Sequence, residues 1–267
     1  MHRVLLHLGP VPLYAYGTFL ALAFIIGIRV AQVRARPRGI SPDLVLDLSL
    51  YILIGAIVGS RLLHVAANWG DYRHAPAGIF KIWEGGLSFQ GGVIGAILFA
   101  AWFLRSKKIS FLPMADIVIP SVPLGQALGR IGCFLNGCCY GRPTGLPWGI
   151  TFPPDSFAAQ EYGPGHHIHP AQLYSAAANL LVFALLLIYS KRYRRAGETL
   201  CLYGVLSGSV RFGLEFLRGD EPPVWGSLTL YHLISLGIVA ASLGLWGYLR
   251  RQKSEGRSQK AEGRSKK

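Results

Sequence analysis

Apolar runs of about 20 residues, repeated along the chain, constrain this sequence more than any other feature. They fall at about 13–33, 44–66, 87–104, 114–131, 172–190, 199–217 and 228–249. A helix of that length matches the roughly 30 Å hydrocarbon core of a bilayer, since each residue adds about 1.5 Å. The runs are too long and too uniformly apolar to be barrel strands, which are about 10 residues long and alternate. With 51% hydrophobic and 15% charged residues, the chain is neither an ordinary soluble domain nor a disordered one. The sequence therefore predicts an all-α membrane protein with seven transmembrane helices. Trp83, Trp102, Tyr189, Trp225 and Tyr248 fall near run ends, where amphipathic rings sit at the membrane–water boundary.

The net charge of +14 raises the alternative of nucleic-acid binding. The distribution of that charge argues against it. Arg29, Arg34, Arg36 and Arg38 follow the first run, and Arg105, Lys107 and Lys108 the third. Lys191, Arg192, Arg194 and Arg195 follow the fifth, and a basic tail follows the seventh. Basic residues on alternate connections set membrane orientation, with the basic side cytoplasmic. The N-terminus is thus expected outside and the tail inside. The first run ends in arginines without a short apolar core and small-residue cleavage site, so it is read as a retained helix.

Two longer outer connections are expected: an arm over about 67–86 and a Gly-, Pro- and His-rich head over about 132–171, between spans four and five. The membrane body is expected over 1–250, and a disordered basic cytoplasmic tail over 251–267. Gly91 and Gly95 form a small-xxx-small pair at the start of the third run. Close helix packing and a backbone N–H cradle for a polar ligand both account for it.

Charges inside apolar runs cost about 2.5–3.5 kcal/mol each for arginine at a helix centre, so their positions carry information. Arg61, Arg130, Arg211 and Glu215 are such residues. Arg211 and Glu215 are four apart and share a helix face, which fits an internal ion pair. Arginines in excess of the carboxylates fit an anion site, and a phospholipid headgroup is the anion a membrane supplies.

The stretch GRIGCFLNGCCYGRP at 129–143 resembles the signature of the prolipoprotein diacylglyceryl transferases, approximately G-R-x-x-N-F-x-N-x-E-x-x-G-R. LYAYG at 13–17, GGLSFQGG at 85–92, HPAQLY at 169–174 and RFGLEFLR at 211–218 resemble further blocks of that family, in order. The resemblance implies transfer of the diacylglyceryl group of phosphatidylglycerol to the lipobox cysteine of a prolipoprotein signal peptide, in the bacterial cytoplasmic (inner) membrane. It implies catalytic roles for Arg130 and Arg211 and substrate-binding roles for Tyr16, Asn136, Gly141, Arg142, Glu215 and Arg218. Arg61, Gln90 and His169 complete the expected substrate site. No cofactor, resident metal or nucleic acid is expected.

Three positions depart from the family pattern. Cys133 stands for an asparagine, Cys138 for a glutamate and Gln90 for a histidine. Gln cannot act as a base near neutral pH. His64, His169 and His232 are alternative bases, or arginine surroundings lower the incoming thiol's pKa directly. Cys133, Cys138 and Cys139 lie close in sequence but lack C-x-x-C spacing; metal ligation, a loop disulfide and plain packing all fit. The implied reaction takes its thiol from the substrate, so these cysteines are not expected to be nucleophiles. The departures also leave room for a paralogue that binds lipid or precursor without catalysis. An anion transporter is a third class, but repeats and midplane helix breaks are not evident.

Overall fold

The computed structural model describes residues 4–8, 11–73, 76–191, 195–219 and 223–265. A hairpin of β1 (Val4–Leu8) and β2 (Val11–Tyr14) precedes α1 (Ala15–Ala35). The helices α2 (Pro42–Ala67), α3 (Trp69–Tyr72), α4 (Phe89–Ser106), α5 (Phe111–Val118), α6 (Ser121–Asn136), α7 (Phe157–Tyr162), α8 (Ala171–Ser190) and α9 (Glu198–Glu215) follow. A second hairpin, β3 (Pro223–Trp225) and β4 (Leu228–Thr229), leads into α10 (Leu230–Ser265).

The described residues are mostly helical, as the apolar runs predict. Five helical stretches are long and apolar enough to cross a membrane: α1 with the 3₁₀ turn after it, α2, α4, α8 and Leu230–Gln252 of α10. The α5–α6 pair forms a sixth, bent by 41°. Leu98, Leu181 and Ile188 are more than half exposed, an apolar surface that suits lipid rather than water. This is a multi-pass membrane protein.

Two of the seven expected spans differ from the other five. The fourth run is not one straight helix; it breaks at Ile119–Pro120, where proline removes a backbone donor and bends the path. The sixth run forms α9, but Glu198, Arg211 and Glu215 keep it below the apolar standard of the others. The all-α expectation is corrected by the two small hairpins. The helix of α10 is described through Ser265, into the polar segment read from sequence as disordered.

Two compact units make up the chain: residues 30–114, and residues 1–29 with 115–267. In the first, α2 and α4 meet along glycines. A Cβ on Gly91 would run into the Gly59 carbonyl, and one on Gly95 into the Gly55 carbonyl. The small-xxx-small pair read from sequence thus has a partner pair, Gly55 and Gly59, on the facing helix. Tyr51 stacks on Phe103 at 4.6 Å nearer the other end of this contact.

In the second unit, α6 packs on α8, α8 on α9 and α9 on α10. Asp116 is buried, and its carboxylate accepts the N–H groups of Gly197 at 2.7 Å and Leu200 at 2.9 Å. A carboxylate here satisfies orphan donors and the positive end of the α9 dipole. The connection between α6 and α8 folds around a small core of Tyr140, Phe152, Ala158 and Ile168, with Tyr162 packed against it.

Candidate active site

The second unit gathers most of the expected site residues around the C-terminal ends of α6 and α9. Glu215 has a fully buried side chain. Its Oε2 pairs with Arg211 Nη2 at 2.9 Å and, at a longer 3.9 Å, with Arg218 Nε. Its Oε1 accepts from Thr229 Oγ1 at 2.8 Å. The Arg211 guanidinium also lies over the Tyr231 ring, 4.8 Å from its centroid. The ion pair read from the i, i+4 spacing is therefore present, but it is one edge of a larger network.

Sequence reasoning missed Thr229 and Tyr231, because β4 and the start of α10 are brought to α9 only by the fold. It named His232 as a candidate base. That ring is buried, and its Nδ1 accepts the Thr229 N–H at 3.0 Å while Phe212 and Phe216 pack against it. His232 orders the Thr229 turn that holds Glu215. His169 is half-buried, with Nδ1 3.4 Å from the Tyr174 hydroxyl, which itself accepts from Trp148 Nε1 at 2.8 Å.

Arg130 differs from the other arginines. It is half-buried near the end of α6 and has no hydrogen-bond or ion-pair partner among the described residues. It is near enough to Tyr16 and Arg211 to interact electrostatically with both. Tyr16 sits against α6, where Gly132 leaves no room for a Cβ without crowding the Tyr16 backbone at 3.2 Å.

The residues after α6 lock this region in place. Arg142 N donates to the Leu217 carbonyl at 2.9 Å, and Arg142 Nε to the Arg218 carbonyl at 2.8 Å. Gly141 N donates to the His169 carbonyl at 3.2 Å. A Cβ at Gly141 would come within 2.6 Å of His169 and 2.9 Å of the Leu217 carbonyl, so only glycine fits. Gly141, Arg142 and His169 thereby tie the end of α9 to the segment after α6. Asn136, the last residue of α6, points its amide at the Cys138 sulfur, 3.5 Å away.

Cys133, Cys138 and Cys139 are free thiols, so the loop disulfide is not formed. Their sulfurs lie within 4.8 Å of one another. Hydrogen bonds from the Cys133 and Cys138 thiols hold the Cys139 thiol well below the usual thiol range, and the Arg130 and Arg218 charges add to the effect.

Arg61 and Gln90 belong to the other unit. The Arg61 guanidinium is directed at backbone carbonyls: Nε at Ile79 (2.9 Å), Nη1 at Gly85 (2.7 Å) and Gly86 (2.9 Å), and Nη2 at Gly78 (2.6 Å) and, more weakly, Lys81 (3.4 Å). Its five N–H groups are thereby occupied. Gly85 and Gly86 adopt positive φ of 92° and 71°, which turns their carbonyls toward it. In this arrangement the guanidinium holds the chain after α2 through the carbonyls of Gly78, Ile79, Gly85 and Gly86. Gln90 is exposed in the first turn of α4, where its Oε1 accepts from Ser88 Oγ at 3.2 Å.

A half-buried guanidinium with open donors stands beside two arginines that share one carboxylate, an arrangement with the chemistry to receive an anion. The sequence profile of the prolipoprotein diacylglyceryl transferases matches residues 3–248. The phosphatidylglycerol–prolipoprotein diacylglyceryl transferase of Trichormus variabilis is 37% identical, covering 93% of this chain and 90% of the relative. Those of Geobacillus kaustophilus and Thermotoga maritima are 36% and 38% identical, covering 95% and 96% of this chain and 94% and 86% of the relatives. With a match that runs from the first strand to the last helix, the chain belongs to the prolipoprotein diacylglyceryl transferase family.

Proposed function

We propose that the protein transfers the diacylglyceryl group of phosphatidylglycerol to the lipobox cysteine of a prolipoprotein, forming a thioether and releasing glycerol phosphate. The observation that carries this reading is Arg130, a half-buried cation without a hydrogen-bonding partner among the described residues, next to the Arg211–Glu215–Arg218 network. The sulfur attacks the glyceride carbon that bears the phosphate ester. A C–S bond forms as the C–O bond breaks, and the electron pair leaves on the phosphate oxygen. Negative charge grows where fixed guanidinium groups stabilise it most, in surroundings poorer in water than the bulk.

Arg130 and Arg211 take the catalytic roles. Arg130 grips the phosphate through paired N–H groups, and Arg211 is aimed by Glu215. Tyr16 and Asn136 offer hydrogen bonds to the polar substrate groups. Gly141, Arg142, His169 and Arg218 keep the ends of α6 and α9 in register around the lipid.

The reading includes seven crossings in the bacterial cytoplasmic membrane, with α5–α6 as a bent span and α9 as a charged one. The alternating basic connections support an outer N-terminus and a cytoplasmic C-terminus. They also support a head after α6 and an arm after α2 on the outer side, where precursors present their cysteine. The test is direct. Purified protein in phosphatidylglycerol vesicles should convert a lipobox peptide to a species heavier by one diacylglyceryl group. Unmodified peptide after prolonged incubation, with lipid and peptide both bound, would leave only a binding protein.

A further inference from the structure

The three-thiol cluster after α6 is unused by the chemistry above, and the fold goes to some length to assemble it. Cys133 lies on the last turns of α6, and the chain then reverses through Gly137 in the left-handed region. Cys138 N returns to the Cys133 carbonyl at 3.2 Å. Cys139 itself adopts φ 58°, one of two non-glycine residues with positive φ among the described residues. Such a conformation is uncommon outside glycine and persists where the surroundings impose it. Fully buried Gln172 fixes the turn by donating to the Cys138 carbonyl at 2.8 Å. The outcome is three sulfurs within 4.8 Å of one another, with Cys138 and Cys139 partly open to the outside. The Asn136 amide faces the Cys138 sulfur at 3.5 Å.

No fourth His, Cys, Asp or Glu joins the group among the described residues. Three protein ligands with a vacant fourth position distinguish a reactive zinc site from a closed structural one. We infer that Cys133, Cys138 and Cys139 bind Zn(II), and that the fourth position accepts the thiol of the incoming prolipoprotein cysteine.

This inference rests on the transferase reading and deepens it. Zinc-bound thiol loses its proton outright, and the proton passes to solvent. The bound thiolate keeps a lone pair with which to attack the glyceride carbon. Once the C–S bond has formed, the product is a thioether, a much weaker zinc ligand, and it leaves. Arg130 interacts electrostatically both with the cluster and with Arg211, so the thiolate and the phosphate-binding cations belong to one region of the protein. Gln90, which cannot take a proton, is then not required to.

The metal-binding part of the test needs neither lipid nor turnover. Full-length protein in detergent, equilibrated with Zn(II) and then freed of loose metal, should retain about one zinc per chain. A Cys133→Ser/Cys138→Ser/Cys139→Ser variant should retain less than about a tenth of that, and Cys201→Ser, which leaves the cluster intact, should retain all of it. Replacing zinc with Co(II) should give the thiolate-to-cobalt charge-transfer band of a four-coordinate site. A lipobox peptide should raise that band by about a third, as three thiolates become four, and its Cys→Ser analogue should not. Metal-free wild-type protein, retention unchanged in the triple variant, or a cobalt spectrum indifferent to the peptide thiol would each overturn the inference. Transfer by metal-free protein would also overturn it and leave the transferase reading standing. Metal and thiol binding without any thioether product would do the reverse.

Discussion

Arginines that look alike in the sequence do different work in the structure. Arg61 gives every donor to the arm, whereas Arg130 gives none to the described protein. Their variants should therefore fail in opposite ways. Arg61→Ala leaves several carbonyls without a partner, at about 1–3 kcal/mol each where they stay buried. It should lower the melting temperature in detergent and expose the arm to proteolysis; Arg61→Lys should restore little, because a compact ammonium cannot reach carbonyls spread around the edge of a guanidinium. An arm that stays protease-resistant in both variants would contradict this role. Arg130→Ala should melt like the wild type and lose at least about 10²-fold in turnover, the scale set by removing one donor from a developing anion. Glu215→Gln should cost both stability and rate, since Arg211 and Arg218 lose their shared counter-charge. The sequence pointed to all of these residues because charges are rare in apolar runs. It could not separate them, because backbone carbonyls leave no mark in a sequence and Arg61 is satisfied by carbonyls alone.

Helices in this protein are positioned by close backbone approach and by a distant cap. Gly95→Leu should separate α2 from α4, with a cost above the roughly 1–3 kcal/mol usual for overpacking, because the obstacle is the Gly55 carbonyl and not a movable side chain. A thermal melt in detergent measures it, and an unchanged midpoint would refute the contact. Asp116→Ala should uncap α9 at about 1–2 kcal/mol. Hydrogen exchange confined to the Gly197–Cys201 amides should report the loss, and unaltered protection there would show the cap to be idle. Legibility at this scale follows from range. Helix existence was plain from length and apolarity, and Gly91–Gly95 from spacing. The facing Gly55–Gly59 pair, the Asp116 cap and the Thr229 contact join residues far apart in the chain. The first hairpin had a local signal in the Gly9–Pro10 dipeptide between two apolar stretches. The break at Pro120 had one as well, masked by the uniform apolarity around it.

For the whole molecule, the account joins a topology to a reaction. Reporter fusions after residues 38, 108, 195 and 250 should all read cytoplasmic, because the basic connections recur on alternate loops. An outer reading at any of them would break the seven-crossing arrangement and move the arginine site to the wrong face for secreted precursors. The central claim is the exchange of a phosphate ester for a thioether at this site. Phosphatidylglycerol carrying one isotope in its glyceride carbons and another in its headgroup glycerol follows both halves at once. Incubated with wild-type protein and a lipobox peptide, it should deliver the first label to the peptide as a thioether. The second label should appear in free glycerol phosphate, mole for mole, and folded Arg130→Ala should yield neither above about 1% of the wild-type rate. Peptide label without glycerol phosphate, or Arg130→Ala turning over at the wild-type rate, would contradict the account.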